Sequence, residues 1–330
     1  MIRRSRLLPM AATRHEAFML VGATATGKTA VAQRLAGELN AVILSADSML
    51  VYRGLDIGTA KPTAAERGHI RYGGLDLVNP DEEFHVAAWI EHARGFLATA
   101  RAADQPVIIV GGTGLYVKCL LTGLTAQPAA DPAWRATAVK MSRAELQEKL
   151  QQLDPVRYAA LTESDRQNPR RLIRALELAR EVPSLGKSDG SDFQASEEEA
   201  VSGQPSAVSR TIVGLRLPPA LLAERIRTRV QLMFAQGLLA EARRLREKFP
   251  QLSATARQAI GYAEAFAVLG GECTAAAACE KIAVRTRQLA KRQMTWFRHQ
   301  ASTAWVEADG DAAQRVREFW STHGPTPLAY

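Results

Sequence analysis

Eight residues near the start of the chain, GATATGKT from Gly22 to Thr29, narrow most what it can fold into. They match the phosphate-loop pattern G-x-x-x-x-G-K-[ST] at every fixed position. An apolar run, Phe18 to Val21, precedes them and a helix-like segment, Ala30 to Leu39, follows, so the motif stands in the strand-loop-helix setting it requires. Glycines at 22 and 27 let the backbone turn its N–H groups inward, Lys28 supplies a point charge for terminal phosphates, and the Thr29 hydroxyl is placed for Mg2+. The helix N-terminus beyond adds partial positive charge. Gly22, Ala23, Thr24, Ala25, Thr26, Gly27, Lys28 and Thr29 are therefore read as a binding loop for a di- or triphosphate, nucleotide or otherwise, with Thr29 as the metal ligand.

The 330 residues allow about two domains, and 47% hydrophobic residues suffice for a sizeable core. No window approaches the ~18 apolar residues that cross a bilayer, and Met1 to Arg14 is Arg-rich without a sustained apolar stretch. The expectation is a cytoplasmic, monomeric protein without a membrane segment, whose residues 1–16 form a disordered extension. The three cysteines (Cys119, Cys273, Cys279) and six histidines have no metal-ligand spacing and form no disulfide framework. A net charge of +8 points to a polyanionic partner if the excess is clustered.

After the loop helix, Ala41 to Leu44 reads as a buried strand ending in a polar turn that carries Asp47. Strand ends hold the ligand in open α/β sheets, so Asp47 is expected in one cleft with Lys28. Arg53 to Pro62 is too rich in Gly and Pro for regular structure and reads as an ordered loop. A short strand is expected at Leu75 to Val78, a helix over Phe84 to Ala103, and a buried strand over Pro106 to Val110 running into Gly111 and Gly112, whose small size serves close approach of either ligand or packing. This alternation predicts an α/β, doubly wound parallel sheet with a phosphate loop. From Asp131 the strands stop. Asp131-Pro132 and Asp154-Pro155 are helix starts, and Asn168 to Arg174 opens a basic helix suited to phosphate contact. The core is thus expected over 17–130 and 209–310, an all-helical insertion over 131–186, and a disordered low-complexity segment over 187–208. A strand from Thr211 to Leu217, an amphipathic helix from Pro218 to Gln236 and a last strand from Thr303 to Glu307 complete the core. A long helix from Thr274 to His299 carries cations on both flanks of its apolar arc and no acid after Glu280. Residues 311–330 are expected as a C-terminal helix and a tail that frays after Pro325.

Together GATATGKT, SADSMLVYRGLDIGTAKP (Ser45 to Pro62), GGTGLY (Gly111 to Tyr116), DPAWR (Asp131 to Arg135), NPRRLIRALE (Asn168 to Glu177), RQAIGY (Arg257 to Tyr262) and RTRQLAKRQMTWFR (Arg285 to Arg298) closely resemble the tRNA dimethylallyltransferase family, in order and in spacing. The resemblance implies a phosphate-loop core with a helical insertion. It also implies Mg2+-dependent transfer of a dimethylallyl group from its diphosphate to the exocyclic amine of the adenosine 3′ of the anticodon. Asp47 matches the family's proton acceptor, with Thr24 beside it and Lys28 on the leaving group. The family's contacts with the tRNA anticodon stem-loop match Asp47, Ser48, Met49 and Leu50, then Thr113, Arg135, Arg170, Arg171, Leu172, Ile173 and Arg174. They continue at Gln258, Ala259, Ile260, Gly261, Tyr262 and Ala263, and end at Lys291, Arg292, Gln293, Met294, Thr295, Trp296, Phe297 and Arg298. Two positions depart from the pattern: Ala23 stands where the family often has Pro, and Leu50 where many members have Gln, which removes a candidate contact to the flipped base.

Rival readings are an RNA-dependent NTPase in which Asp47 holds Mg2+, a small-molecule kinase, a free-nucleotide prenyltransferase and a passive RNA-binding module. The NTPase lacks an acidic pair after a hydrophobic strand, since Val107 to Val110 ends in glycines. A kinase or a free-nucleotide enzyme has no need of the basic helices, and a passive module has none for the phosphate loop.

Overall fold

A computed structural model describes residues 16–124, 131–182, 184 and 212–329. The expectations for residues 1–16 and 187–208 fall almost wholly outside them. The chain divides into two compact units, one formed by Met1–Leu124 with Gln204–Tyr330 and the other by Thr125–Gly203.

The first unit is built on a mostly parallel sheet of β1 (Glu16–Gly22), β2 (Val42–Ala46), β3 (Tyr72–Gly73), β4 (Val107–Gly111), β5 (Ile212–Arg216), β6 (Thr303–Glu307) and β7 (Thr326–Pro327). The order β3-β2-β4-β1-β5-β6 puts β1 at the centre, with Leu20 opposite Val110 on one side and Val213 on the other. Chains continuous in apolar residues, such as FMLV and VIIV, suit strands covered on both faces. Alternate residues of those strands enter two separate cores. Met19, Val21, Leu44 and Ile109 join Trp89 and Ile90, whereas Phe18, Leu20, Ile43 and Ile108 join Leu35, Val316 and Trp320. The first face is covered by α3 (Val86–Ala102), α4 (Gly114–Thr122), α10 (Pro219–Ala235), α11 (Leu238–Lys248), α12 (Tyr262–Leu269) and α13 (Ala275–Gln300). The second is covered by α1 (Lys28–Leu39) and α14 (Ala312–His323). This is the expected doubly wound α/β arrangement. A one-turn α2 (Ala64–Arg67) closes the loop before β3 with a Thr63–Glu66 capping box.

Two local expectations are corrected. The short strand lies at Tyr72–Gly73, where it pairs with Ile43 and Leu44 of β2; of Leu75 to Val78 only Val78 makes a bridge, to Tyr52. Two glycines, Gly73 and Gly74, weaken a strand by propensity, but Gly73 is needed because a Cβ there would strike the Phe96 ring at 2.6 Å. The segment after Pro325 does not fray: Thr326 and Pro327 pair antiparallel with Ala17 and Glu16, Thr326 and Leu328 are buried, and the Ala329 N–H donates to the Leu120 carbonyl at 2.8 Å. Tertiary pairing supplies what local sequence does not.

The second unit, over its described residues, holds five helices: α5 (Pro132–Ala138), α6 (Arg143–Leu153), α7 (Pro155–Ala160), α8 (Glu163–Arg166) and α9 (Pro169–Glu181). Asp131, Asp154 and Asn168 each cap a helix whose first residue is proline, using side-chain oxygens on backbone N–H groups. Leu146, Leu150, Leu172, Ile173 and Leu176 form its core.

Candidate active site

The C-terminal ends of β1, β2 and β4 converge in the first unit, at the point where strand order reverses around β1. The phosphate loop leaves β1 at Gly22, whose φ of 137° and whose packing against the Leu215 carbonyl, 2.5 Å from any added Cβ, admit only glycine. Ala25 and Gly27 are also left-handed, at φ 64° and 89°. The loop closes on itself: the Ala23 carbonyl accepts from the Thr26 hydroxyl at 2.9 Å and from Lys28 Nζ at 2.5 Å. Thr26 and Ala23 are buried and shape the loop, while Gly27 and Thr29 are exposed at its mouth. Burial lowers the Lys28 ammonium to about 8; the Asp47 charge opposes that shift and Arg229 reinforces it.

Asp47 follows β2. Its Oδ1 accepts the Met49 N–H at 2.9 Å, which orients the carboxylate in an Asx turn. The Ser48 N–H donates to Thr113 Oγ1 at 3.0 Å, and the Thr113 N–H to the Ala46 carbonyl at 3.1 Å, so the β2 and β4 turns are one hydrogen-bonded piece. The two glycines before Thr113 serve packing. A Cβ at Gly111 would strike the Ala46 carbonyl, and one at Gly112 the Gln293 amide.

Arg229 of α10 is the principal residue that the sequence reading did not place in the site. Its Nη1 donates to Thr24 Oγ1 and its Nη2 to the Thr59 carbonyl, both at 3.2 Å, while its Nε is enclosed without a partner. Burial lowers its pKa and the Asp47 charge opposes the shift. Arg225, one turn earlier, brings a guanidinium nitrogen to 3.8 Å from a Cβ built on Gly27. The i, i+4 arginines within an otherwise apolar stripe were the available signal. The loop that carries Thr59 is held by a buried carboxylate, Glu241, which accepts from the N–H groups of Ile57 at 3.0 Å and Gly58 at 3.3 Å and from the Tyr262 hydroxyl at 2.6 Å. Lys61, also buried, pairs with Asp56 at 2.7 Å and Asp76 at 2.6 Å.

The residues assigned to RNA separate by exposure. Lys291, Arg292, Thr295 and Arg298 are exposed along α13, Met294 and Trp296 partly so, and Phe297 lies in the core. Gly114 lies beneath the Trp296 indole. Gln258 and Ala263 are exposed and Ile260 partly so, while Ala259, Gly261 and Tyr262 are buried, which leaves those three as supports for the segment. Met49 and Leu50 are partly exposed beside Asp47 and Ser48. In the second unit, Arg170 and Arg171 are exposed, Leu172 and Ile173 are core, and Arg135 and Arg174 both pair with the buried Glu177, Arg135 through two bonds of 2.7 Å and Arg174 at 3.1 Å.

Among the described residues no group of three or more His, Cys, Asp or Glu could hold a metal ion. The hard oxygens present, the Thr29 hydroxyl and the Asp47 carboxylate, fit a Mg2+ that is carried largely by substrate phosphate and water rather than by a protein cage.

A phosphate loop at the switch point of a parallel sheet, with Lys28, Arg229 and the oriented Asp47 carboxylate near it, is the arrangement of an α/β phosphate-loop enzyme. Residues 50–300 match the family model described as IPP transferase, and residues 15–73 that of isopentenyl transferase. The chain is 39% identical over 311 residues to the tRNA dimethylallyltransferase of Anaeromyxobacter dehalogenans, spanning 93% of this chain and 98% of that protein. Identity to the Geobacter metallireducens tRNA dimethylallyltransferase is also 39%, over 88% and 91% of the two chains. The crystal structure of the tRNA isopentenylpyrophosphate transferase of Bacillus halodurans superposes with a TM-score of 0.66 at 32% identity, covering 94% of this chain and 97% of that one. A eukaryotic dimethylallyltransferase acting on tRNA shares the fold with a TM-score of 0.73 at 21% identity, over 95% and 81%. This chain belongs to the IPP transferase family.

Proposed function

We propose that this protein transfers the dimethylallyl group of dimethylallyl diphosphate to the exocyclic amine of the adenosine 3′-adjacent to the anticodon of tRNA. The observation that supports the proposal is the nearness of the Asp47 carboxylate to Lys28 and Arg229, each close enough to feel its charge. The reaction needs two such groups: cations for the leaving group and a base for the attacking amine.

The loop N–H groups, Lys28 and Arg229 would receive the diphosphate and stabilise the charge that develops as its C–O bond breaks. Lys28 must then exchange the Ala23 carbonyl for phosphate. The adenine nitrogen forms its bond to the allylic carbon as the diphosphate departs, and its proton passes to Asp47, already oriented by the Met49 N–H. Thr24 is anchored by Arg229, whose Nη1 donates to its hydroxyl. Mg2+, held by the Thr29 hydroxyl and phosphate oxygens, would supply further charge neutralisation on the leaving group. The adenine must leave its stack to enter, which is least costly in a single-stranded loop. Lys291, Arg292 and Arg298 in the first unit, and Arg170 and Arg171 in the second, are the exposed cations suited to RNA phosphates. No described helix is long and apolar enough to cross a membrane, and tRNA as acceptor favours the cytoplasm.

The test is incubation of the protein with labelled dimethylallyl diphosphate, Mg2+ and unmodified tRNA, with AMP and ATP as parallel acceptors. Label on tRNA alone is expected. Label on free nucleotide, or ATP hydrolysis without transfer, would overturn the proposal.

A further inference from the structure

Gln293 stands in the middle of the basic stretch of α13, yet its side chain turns toward the sheet. Its Oε1 accepts the Thr24 N–H at 2.8 Å and its Nε2 donates to the Gly112 carbonyl at 3.1 Å. One amide thus ties the phosphate loop after β1 to the turn after β4. The second of these loops is itself bonded through Thr113 to Ser48, next to Asp47. The tie is built into the backbone as well. Gly112 lacks a Cβ where one would strike the Gln293 amide, and Gly114, two residues on, lacks one where the Trp296 indole packs, one helical turn after Gln293. An amide suits this place because, at any ordinary pH, it accepts on one side and donates on the other.

We infer that Gln293 is a positioning residue that sets the spacing between the phosphate loop and the Asp47 turn, and so governs turnover rather than the binding of either substrate. The inference rests on the transferase reading given above. In-line attack requires the allylic carbon, fixed through its diphosphate to the first loop, to stand within bonding approach of an amine held beside Asp47. An error of about 1 Å in that spacing costs on the order of 10²-fold in rate.

Two variants test it. Gln293→Met keeps length without polarity and should lower kcat about 10- to 100-fold, with KM for tRNA and for dimethylallyl diphosphate and the affinity for inorganic diphosphate changed less than about threefold. Gln293→Glu is the diagnostic variant. Its carboxylate can accept from Thr24 but cannot donate to Gly112, whereas its protonated form can do both. Activity relative to the wild type at the same pH should therefore rise as pH falls from about 8 to 5.5 in Gln293→Glu and stay flat in Gln293→Met, the ratio cancelling any pH dependence that variant and wild type share. A raised KM for tRNA with unchanged kcat would make Gln293 an RNA contact and overturn the inference. So would a change of more than about tenfold in inorganic diphosphate affinity, or equal losses in both variants with no pH-dependent recovery, which would leave the amide a packing role. Inactivity of the wild type in the same assay would instead count against the transferase reading, and the diphosphate titration would still judge Gln293.

Discussion

In the proposed reaction the Asp47 carboxylate takes the proton while its neighbours hold the phosphate, so its role can be separated from theirs. Asp47→Asn keeps the acceptor for the Met49 N–H and should retain inorganic diphosphate and tRNA affinity within a few-fold, while single-turnover prenyl transfer falls ~10²-fold or more. Loss of diphosphate affinity in step with turnover would assign Asp47 to the metal instead. Lys28 makes a different prediction. Its ammonium is lowered to about 8 in the free protein by burial, and a bound diphosphate favours the charged form. Above pH 8 the free protein has therefore lost a proton that the complex regains, so binding takes up a proton and weakens as pH rises. Calorimetry at pH 8.5 in buffers of different ionisation heat should show that uptake. Lys28→Arg, which stays charged, should abolish it, and persistence in the variant would place the proton on the ligand. At this scale the sequence was most informative about residues whose chemistry is local: the loop pattern alone identifies Lys28 and Thr29. Arg229 was hidden because its role depends on where α10 docks, more than 200 residues downstream of Thr24 by separation 205.

Among the elements, α13 and the β4 turn depend on missing side chains. Gly114→Ala would force a methyl into the Trp296 indole, and such overpacking costs about 1–3 kcal/mol, measurable by urea denaturation, with tRNA affinity falling as the helix shifts. In the second unit one buried acid organises two arginines. Glu177→Ala leaves Arg135 and Arg174 without their shared partner, and because both guanidiniums are partly exposed the expected loss is about 1–3 kcal/mol, below that of a fully buried pair. An unchanged urea midpoint would mean that water replaces the carboxylate. Helix starts with Asp-Pro or Asn-Pro were legible because a cap and its proline are adjacent in sequence. The tail strand β7 was not, because pairing of Thr326 and Pro327 with β1 leaves no mark in the tail's own residues.

For the molecule as a whole, the net charge of +8 matters through where it lies. Exposed Lys291, Arg292 and Arg298 should bind RNA through phosphate, so log K for an anticodon stem-loop should fall linearly with log salt. Arg298→Ala should make that slope shallower by about 0.7–0.9, the value of one lost phosphate contact. An unaltered slope would show that this side chain does not touch the RNA. The doubly wound sheet was readable from its buried runs because each strand announces itself locally, while the strand order was not, since it is decided by which helix covers which face.

That order bears on how the protein comes to exist. The backbone bend at Gly22 is seated against the Leu215 carbonyl, so the start of the phosphate loop packs on a strand that leaves the ribosome only after the entire second unit. Until β5 docks beside β1, a nascent chain holds the motif without the Leu215 carbonyl on which Gly22 is seated. Ligand competence therefore arrives late in synthesis, and stalled chains ending before Ile212 should bind no diphosphate, whereas chains released beyond β7 should.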